Sequence, residues 1–394
     1  MNILAVSWAS HTSVNRHIFR VLGQQPGVGI SVVIPKNIII GGISVNCDDF
    51  VEEDINVISL AITHGNPRHN RYVGIYDVLR NLEPDIIYHE DDPISFQALQ
   101  YGMWCFLNNK ILICRTNQNT PIGYKDEIKR LGLFKGIIYA SLKLSVCAIA
   151  SKFVHHIFAI SNDGVSIYNK LGYKNVTKIP LGFDEEIFKI NDSVRELIRD
   201  KLGIEGIVFS YIGRVIEGKG LHILLEALSR IKNHKWTLLL DNFSTGPQTK
   251  YQQKITEHIH DWGLKDRIVS FEADHKEIAN YMNASDVVIV PSITTPNFRE
   301  QYGRVAPESM ACGCQVIASK SGTLPELVQE AGWLFEEGNI DELEQLLIQA
   351  IKLDDRADIR YESAHHAHQH LGVEAQKKAM MDVISKIETA VVVR

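Results

Sequence analysis

The sequence predicts an α/β protein built from two doubly wound, largely parallel sheets. Three observations carry that prediction. Short apolar runs alternate with longer amphipathic ones along most of the chain. The apolar runs are continuous, as in strands covered on both faces, rather than alternating with polar residues. The length, 394 residues, suits two ordinary domains better than one.

In the first half, MNILAVSW (1–8), ISVVIP (30–35), VISLAI (57–62), DIIYHE (85–90) and KILICRT (110–116) read as strands. YVGIYDVLRNL (72–82) has the apolar spacing of a helix. Pro180 and Gly182 interrupt the pattern in IPLGFDEEIF (179–188). That break divides the chain into a first domain, 1–183, and a second, 184–372. A C-terminal helix, 373–394, follows and is free to cross back onto the first domain.

The second domain repeats the theme more regularly. Its strands are IVFSYIG (207–213), WTLLLDN (236–242), RIVSFEA (267–273), DVVIVPS (286–292) and CQVIAS (314–319). Helical spacing falls at 221–231, 252–264, 276–284 and 341–353. Sheets of this kind bind their ligands at the carboxyl ends of the strands.

Composition narrows the function classes. The chain is 45% hydrophobic and 22% charged, as expected of a packed core. A net charge of −6 gives no support for nucleic acid as a partner. The six cysteines are scattered and have no metal-ligand spacing, which argues against zinc and for reduced thiols in a cytoplasmic setting. MNILAVSW lacks the basic start and cleavage site of a signal peptide. Lys135, Lys143 and Lys152 cut the long apolar stretch 131–160 below membrane-spanning length. In 124–156, lysines alternate with apolar residues at helical spacing. We expect core helices with snorkelling lysines there. The alternative is peripheral contact with an anionic membrane surface.

Two stretches carry chemistry. YIGRVIEGKGLHILLEAL (211–228) joins a strand to a helix. Its glycines, Gly213 among them, allow a tight turn, and Arg214 and Lys219 place two cations in it. A diphosphate there would meet both cations and the positive end of the following helix. Read alone, the stretch is also an ordinary solvated basic turn. FREQYGRVAPESMACGCQVIAS (298–319) places Glu300 and Glu308 on either side of Gly303, Arg304 and Val305. Pro307 suits a first helical position and Gly313 a helix end. The two carboxylates can accept hydrogen bonds from sugar and ribose hydroxyls. Glu308 is equally placed as a simple helix-start acid.

Together, the Gly-Arg-x4-Lys-Gly turn and the later Glu-x7-Glu stretch resemble the retaining glycosyltransferases of family four. The segments 159–188, 279–292 and 314–328 extend the likeness, which is strong over residues 155–340. The resemblance implies a GT-B fold, with two Rossmann-like domains facing a central cleft. It implies that Arg214 and Lys219 hold the donor diphosphate, Glu308 the ribose and Glu300 the transferred sugar. Backbone at Gly213, Gly303, Arg304 and Val305 would help bind donor, and Glu300, Arg214 and Lys219 would carry catalysis. No metal or other cofactor is implied, because cations and a helix N-terminus can stabilise the departing diphosphate. The partners would be a nucleotide sugar and a hydroxyl-bearing acceptor: a glycan, a lipid-linked molecule or a small molecule. Surface polysaccharide assembly is the pathway class the family suggests.

The first domain departs from that family. WASHTSVNRH (8–17) lacks the usual Gly-Gly pair, and RTNQNT (115–120) offers asparagines where many members have His. His11, Asp92, Asn117 and Asn119 are the candidates for the acceptor or sugar side, and His89 reads as structural. A nucleotide-sugar epimerase on the same fold and a non-catalytic sugar-nucleotide-binding protein remain alternatives. The sequence carries no signal for oligomeric state.

Overall fold

The computed structural model describes residues 1–40, 43–46, 50–52, 54–63, 71–241, 248–296, 298–353 and 357–392. The chain divides into two compact units: Met1–Pro180 with Gln376–Arg394, and Leu181–Ala375.

Among the described residues, ten strands belong to the first unit. They are β1 (Asn2–Val6), β2 (Gly29–Pro35), β3 (Asn37–Ile40), β4 (Ile43–Asn46), β5 (Phe50–Glu52), β6 (Ile55–Leu60), β7 (Ile86–His89), β8 (Ile111–Thr116), β9 (His156–Ala159) and β10 (Val176–Lys178). Eight of them form one sheet in the order β10-β9-β8-β7-β1-β2-β6-β5. All neighbours in it are parallel except β5 on β6. β1 is central: Leu4 pairs with Ser31 on one side and Ile87 on the other. Leu4, Val6, Ile87 and Leu112 pack with Leu79 and Tyr101 from two covering helices. Every strand expected in this half is present. The β3–β4 hairpin, β5, β9 and β10 are additions.

The second unit contains β11 (Ile207–Tyr211), β12 (Trp236–Asp241), β13 (Ile268–Phe271), β14 (Val287–Val290), β15 (Gln315–Ser319) and β16 (Trp333–Phe335). Their order is β13-β12-β11-β14-β15-β16, all parallel. β11, β14 and β15 are buried at every position, because helices cover both faces. The core joins Phe209 and Ile289 to Leu224 and Leu228 of the Leu221–Arg230 helix and Leu347 of the Ile340–Ile351 helix. The expected helices and strands form here with ends shifted by one to three residues. Asn242, expected to end β12, and Cys47 lie outside the described residues. The other five cysteines are buried free thiols.

Residues 124–156 correct an expectation. They form the helices Tyr124–Leu131 and Leu133–Ala150, but the second is not a core helix. Gly136, Ala140, Val146, Cys147 and Ala150 are buried, whereas Leu133, Phe134, Ile138, Leu142 and Ile149 are exposed. Apolar residues occupy all sides of this helix, and its neighbours cover only one. Periodicity within a helix says nothing about which faces find a partner.

An ion cluster closes the lower edge of the second sheet. Asp286, just before β14, accepts from Arg195 and, at 2.6 Å, from Arg199 of the Asp192–Leu202 helix. It also accepts the Val208 N–H at 2.7 Å. Replacing it leaves two mostly buried guanidinium groups without the carboxylate they share. We expect Asp286→Ala to lower the unfolding free energy by about 3 kcal/mol in a denaturant titration.

Candidate active site

The strand order of the second unit reverses between β11 and β14. The chain winds one way through β12 and β13, then returns to start β14 beside β11. The loops leaving these two neighbouring strands therefore meet at the carboxyl edge of the sheet, at the switch point where such folds bind ligands.

The loop after β11 is fixed at its start. The Gly213 N–H donates to Asp241 Oδ2 at 3.1 Å, and the Tyr211 hydroxyl donates to the Arg214 carbonyl at 3.0 Å. The Arg214 side chain is exposed. A single turn, Glu217–Lys219, leads to Gly220, which has φ +70°. A Cβ at Gly220 would stand 1.8 Å from the Pro291 carbonyl oxygen, so only glycine permits this approach. The Ile293 N–H donates to the Gly218 carbonyl at 2.8 Å, tying the two loops together.

That contact delivers Lys219 to the loop after β14. Its ammonium lies 2.7 Å from Glu300 Oε2, which also accepts from the Ser292 hydroxyl at 2.8 Å. Glu300 is 5% exposed, so these partners compensate a carboxylate largely withdrawn from water. Its backbone is wedged against Gly322 (φ +53°), where a Cβ would fall 1.8 Å from the Glu300 carbonyl oxygen. The Thr323 hydroxyl donates to the Gln301 carbonyl at 2.6 Å and braces the same turn.

Gly303, Arg304 and the Val305–Ala311 helix come next. Pro307 occupies the third helical position rather than the first, still within the turn whose N–H groups have no helical partner. Gly313 does end the helix: its N–H donates to the Met310 carbonyl at 2.8 Å, and Cys314 N–H donates to the Ser309 carbonyl at 2.9 Å. Glu308 is buried, with Arg304 Nε 3.8 Å away. Burial pushes its carboxyl from 4.5 up to about 7, and the Arg304 charge offsets part of that rise. Among the described residues, no group of three or more His, Cys, Asp or Glu is gathered as a metal would need.

The candidates of the first unit fall in two places. Asp92 accepts from Thr116 and, at 3.3 Å, from the Tyr168 hydroxyl. Arg115 pairs with Glu90 and donates to Asn117 Oδ1 at 3.3 Å. Glu90 also accepts from Ser7. Asp92 and Asn117 thus share a polar cluster at the carboxyl ends of β1, β7 and β8. Asn119 is buried. His11 lies in the loop after β1, with Nδ1 2.9 Å from the Trp8 carbonyl oxygen. His89 is buried against Ser95, and burial lowers its pKa to about 3. Sequence reasoning missed Ser7, Glu90, Arg115 and Tyr168. Arg115 had a legible signal: it is a lone charge in an otherwise apolar strand, and such a charge requires a partner.

Two doubly wound sheets, the second with its polar groups at the switch point, define the GT-B architecture. Residues 194–366, all within the second unit, match the family model described as glycosyl transferases group 1. Lipopolysaccharide 1,2-N-acetylglucosaminetransferase of Salmonella typhimurium is 31% identical over 161 residues, 39% of this chain and 40% of that protein. D-inositol 3-phosphate glycosyltransferase of Xylanimonas cellulosilytica is 26% identical over 217 residues, 53% of this chain and 50% of that protein. The chain therefore spans half or less of the length of these relatives. The fold of Anabaena Alr3699/HepE, solved in complex with UDP, superposes with a TM-score of 0.70 at 20% identity. It covers 98% of this chain and 100% of that one.

The raised carboxyl of Glu308 makes a pH prediction. Between pH 4.5 and about 7 the folded protein keeps a proton that the unfolded chain releases. Folding then becomes less favourable as pH rises through this window, by about 3 kcal/mol in all. Subtracting the stability curve of Glu308→Gln from that of the parent should isolate this decline. A flat difference curve would place the carboxyl in a more polar setting.

Proposed function

We propose that this protein is a retaining, metal-independent glycosyltransferase. It moves a hexose-like sugar from a nucleotide donor to a hydroxyl on a glycan, lipid-linked or small-molecule acceptor. The observation that carries this reading is the Lys219–Glu300 pair at the switch point of the second sheet. It sets a cation and a hydroxyl-accepting carboxylate at one spot, with Glu308 following in the first turn of the Val305–Ala311 helix. The group 1 match over residues 194–366, and relatives that are themselves glycosyltransferases, support it.

In this reading the donor diphosphate lies along the loop after β11, between Arg214 and Lys219. Lys219 turns from Glu300 toward phosphate, and Glu300 then accepts from the sugar hydroxyls. Glu308 accepts from the ribose. As the anomeric C–O bond to the diphosphate breaks, Arg214 and Lys219 stabilise the charge that builds on the leaving oxygen. The acceptor hydroxyl attacks from the same face, forms the new C–O bond and gives its proton to a diphosphate oxygen. The anomeric configuration is retained. The Asp92 and Asn117 cluster supplies polar contacts on the sugar or acceptor side.

Incubating the protein with UDP-, GDP- and ADP-sugars, with and without a panel of acceptors, tests the reaction. Nucleotide release that requires acceptor, with an unchanged anomeric configuration by NMR, is the expected result. Epimerised donor, or binding without turnover, would refute it. Lys219→Ala should lower kcat/KM about 10²–10³-fold with the fold intact by circular dichroism. Ribose donation to Glu308 favours its ionised form, so nucleotide binding near pH 6.5 should release protons. Calorimetry in buffers of different ionisation enthalpy would detect this release, and Glu308→Gln should abolish it.

A further inference from the structure

The first unit carries a broad apolar surface that nothing in the proposed reaction uses. On the Leu133–Ala150 helix, Phe134, Ile138 and Leu142 recur every four residues and are exposed, Phe134 at 81%. On the Phe96–Asn108 helix, Phe96, Met103 and Leu107 form a second exposed stripe, Leu107 at 71%. The stripes are joined. Phe96 and Leu142 line one recess, and the Phe106 and Phe153 rings meet edge to face at 5.7 Å. Soluble surfaces rarely leave so many large apolar side chains contiguous without a binding role.

Charge identifies the partner. The Phe96–Asn108 helix has no charged residue, so the apolar stripe is not interrupted there. Between Tyr124 and His156 the chain carries six basic and two acidic residues, a local balance of +4 in a protein of net charge −6. Lys125, Lys129, Arg130, Lys135 and Lys152 are exposed. Two copies pressed face to face would oppose these like charges. An anionic bilayer complements them while its acyl region accepts the aromatic and aliphatic groups.

Contrary to the expectation from its lysines, the 18-residue Leu133–Ala150 helix is long and apolar enough to cross a membrane by length and composition, so packing is what argues for a place on the surface. Its inner stripe is committed to protein: Gly136 packs against the backbone of Glu127 and Ile128, and Lys143 pairs with Glu127 at 2.7 Å. The recess shared by Phe96, Tyr139, Leu142 and Val146 is bordered by Asp91 and Asp92, so the apolar face is continuous with the polar cluster at the end of β7.

We propose that the exposed face of the Phe96–Asn108 and Leu133–Ala150 helices docks this protein on an anionic membrane surface. Co-sedimentation of the full chain with vesicles tests it. One set contains phosphatidylcholine alone, and the other adds phosphatidylglycerol. Binding should require the anionic lipid and weaken with salt. Phe134→Asp with Ile138→Asp should lower affinity tenfold or more at an unchanged melting temperature. Lys129→Ala and Lys135→Ala should each cost about fivefold. Absence of vesicle binding, or equal binding by the double variant, overturns the proposal. So does a dimer in the ultracentrifuge that the same two substitutions convert to monomer, because a second copy would then cover the face. Titration with UDP, GDP and ADP is an independent arm. Failure of all three to bind would refute the transferase reading and leave the docking result standing.

Discussion

The second unit depends on one constraint: the winding reversal that sets the ends of β11 and β14 side by side. Two loops leaving neighbouring parallel strands have to share the same small volume. Backbone contacts settle how they do so, since Gly220 lies under Pro291 and Gly218 accepts from Ile293. Once the backbones are locked, the Lys219 ammonium has the Glu300 carboxylate as its near neighbour. The pair satisfies a buried charge in the free protein. It also holds both groups in place for the proposed donor, so a diphosphate that claims the lysine releases the carboxylate to the sugar.

Glu308 follows a different rule on the same stretch of chain. Glu300 is compensated by an ammonium and a hydroxyl, whereas Glu308 is buried with Arg304 Nε 3.8 Å away. Two carboxylates eight positions apart in the chain are thus prepared differently. One is paired with an ammonium, and the other is poised to change protonation near neutrality. A ligand hydroxyl aimed at Glu308 would supply the hydrogen bond that the protein withholds.

The first unit uses the same sheet logic with other residues. Its polar cluster again sits at strand ends, but it is built on Glu90 and Arg115, with Asp92 held by Thr116 and Tyr168. The Phe96–Asn108 and Leu133–Ala150 helices bury one stripe and leave an apolar stripe to solvent.

Much of the fold was legible in the chain. Continuous Val/Ile/Leu runs located nearly every long strand, because a strand buried on both faces leaves a local, unbroken signal. Short edge strands such as β10 and β16 carry no such signal and were missed. Arg214, Lys219, Glu300 and Glu308 could be named from residue type and spacing within two turns. Their pairing could not, since Lys219 and Glu300 are 81 positions apart and meet only through the crossover. The exposed face of Leu133–Ala150 was misjudged for a related reason. Hydrophobicity belongs to the sequence, but burial depends on which neighbours the tertiary structure brings, and that decision is made by long-range packing rather than by any local pattern.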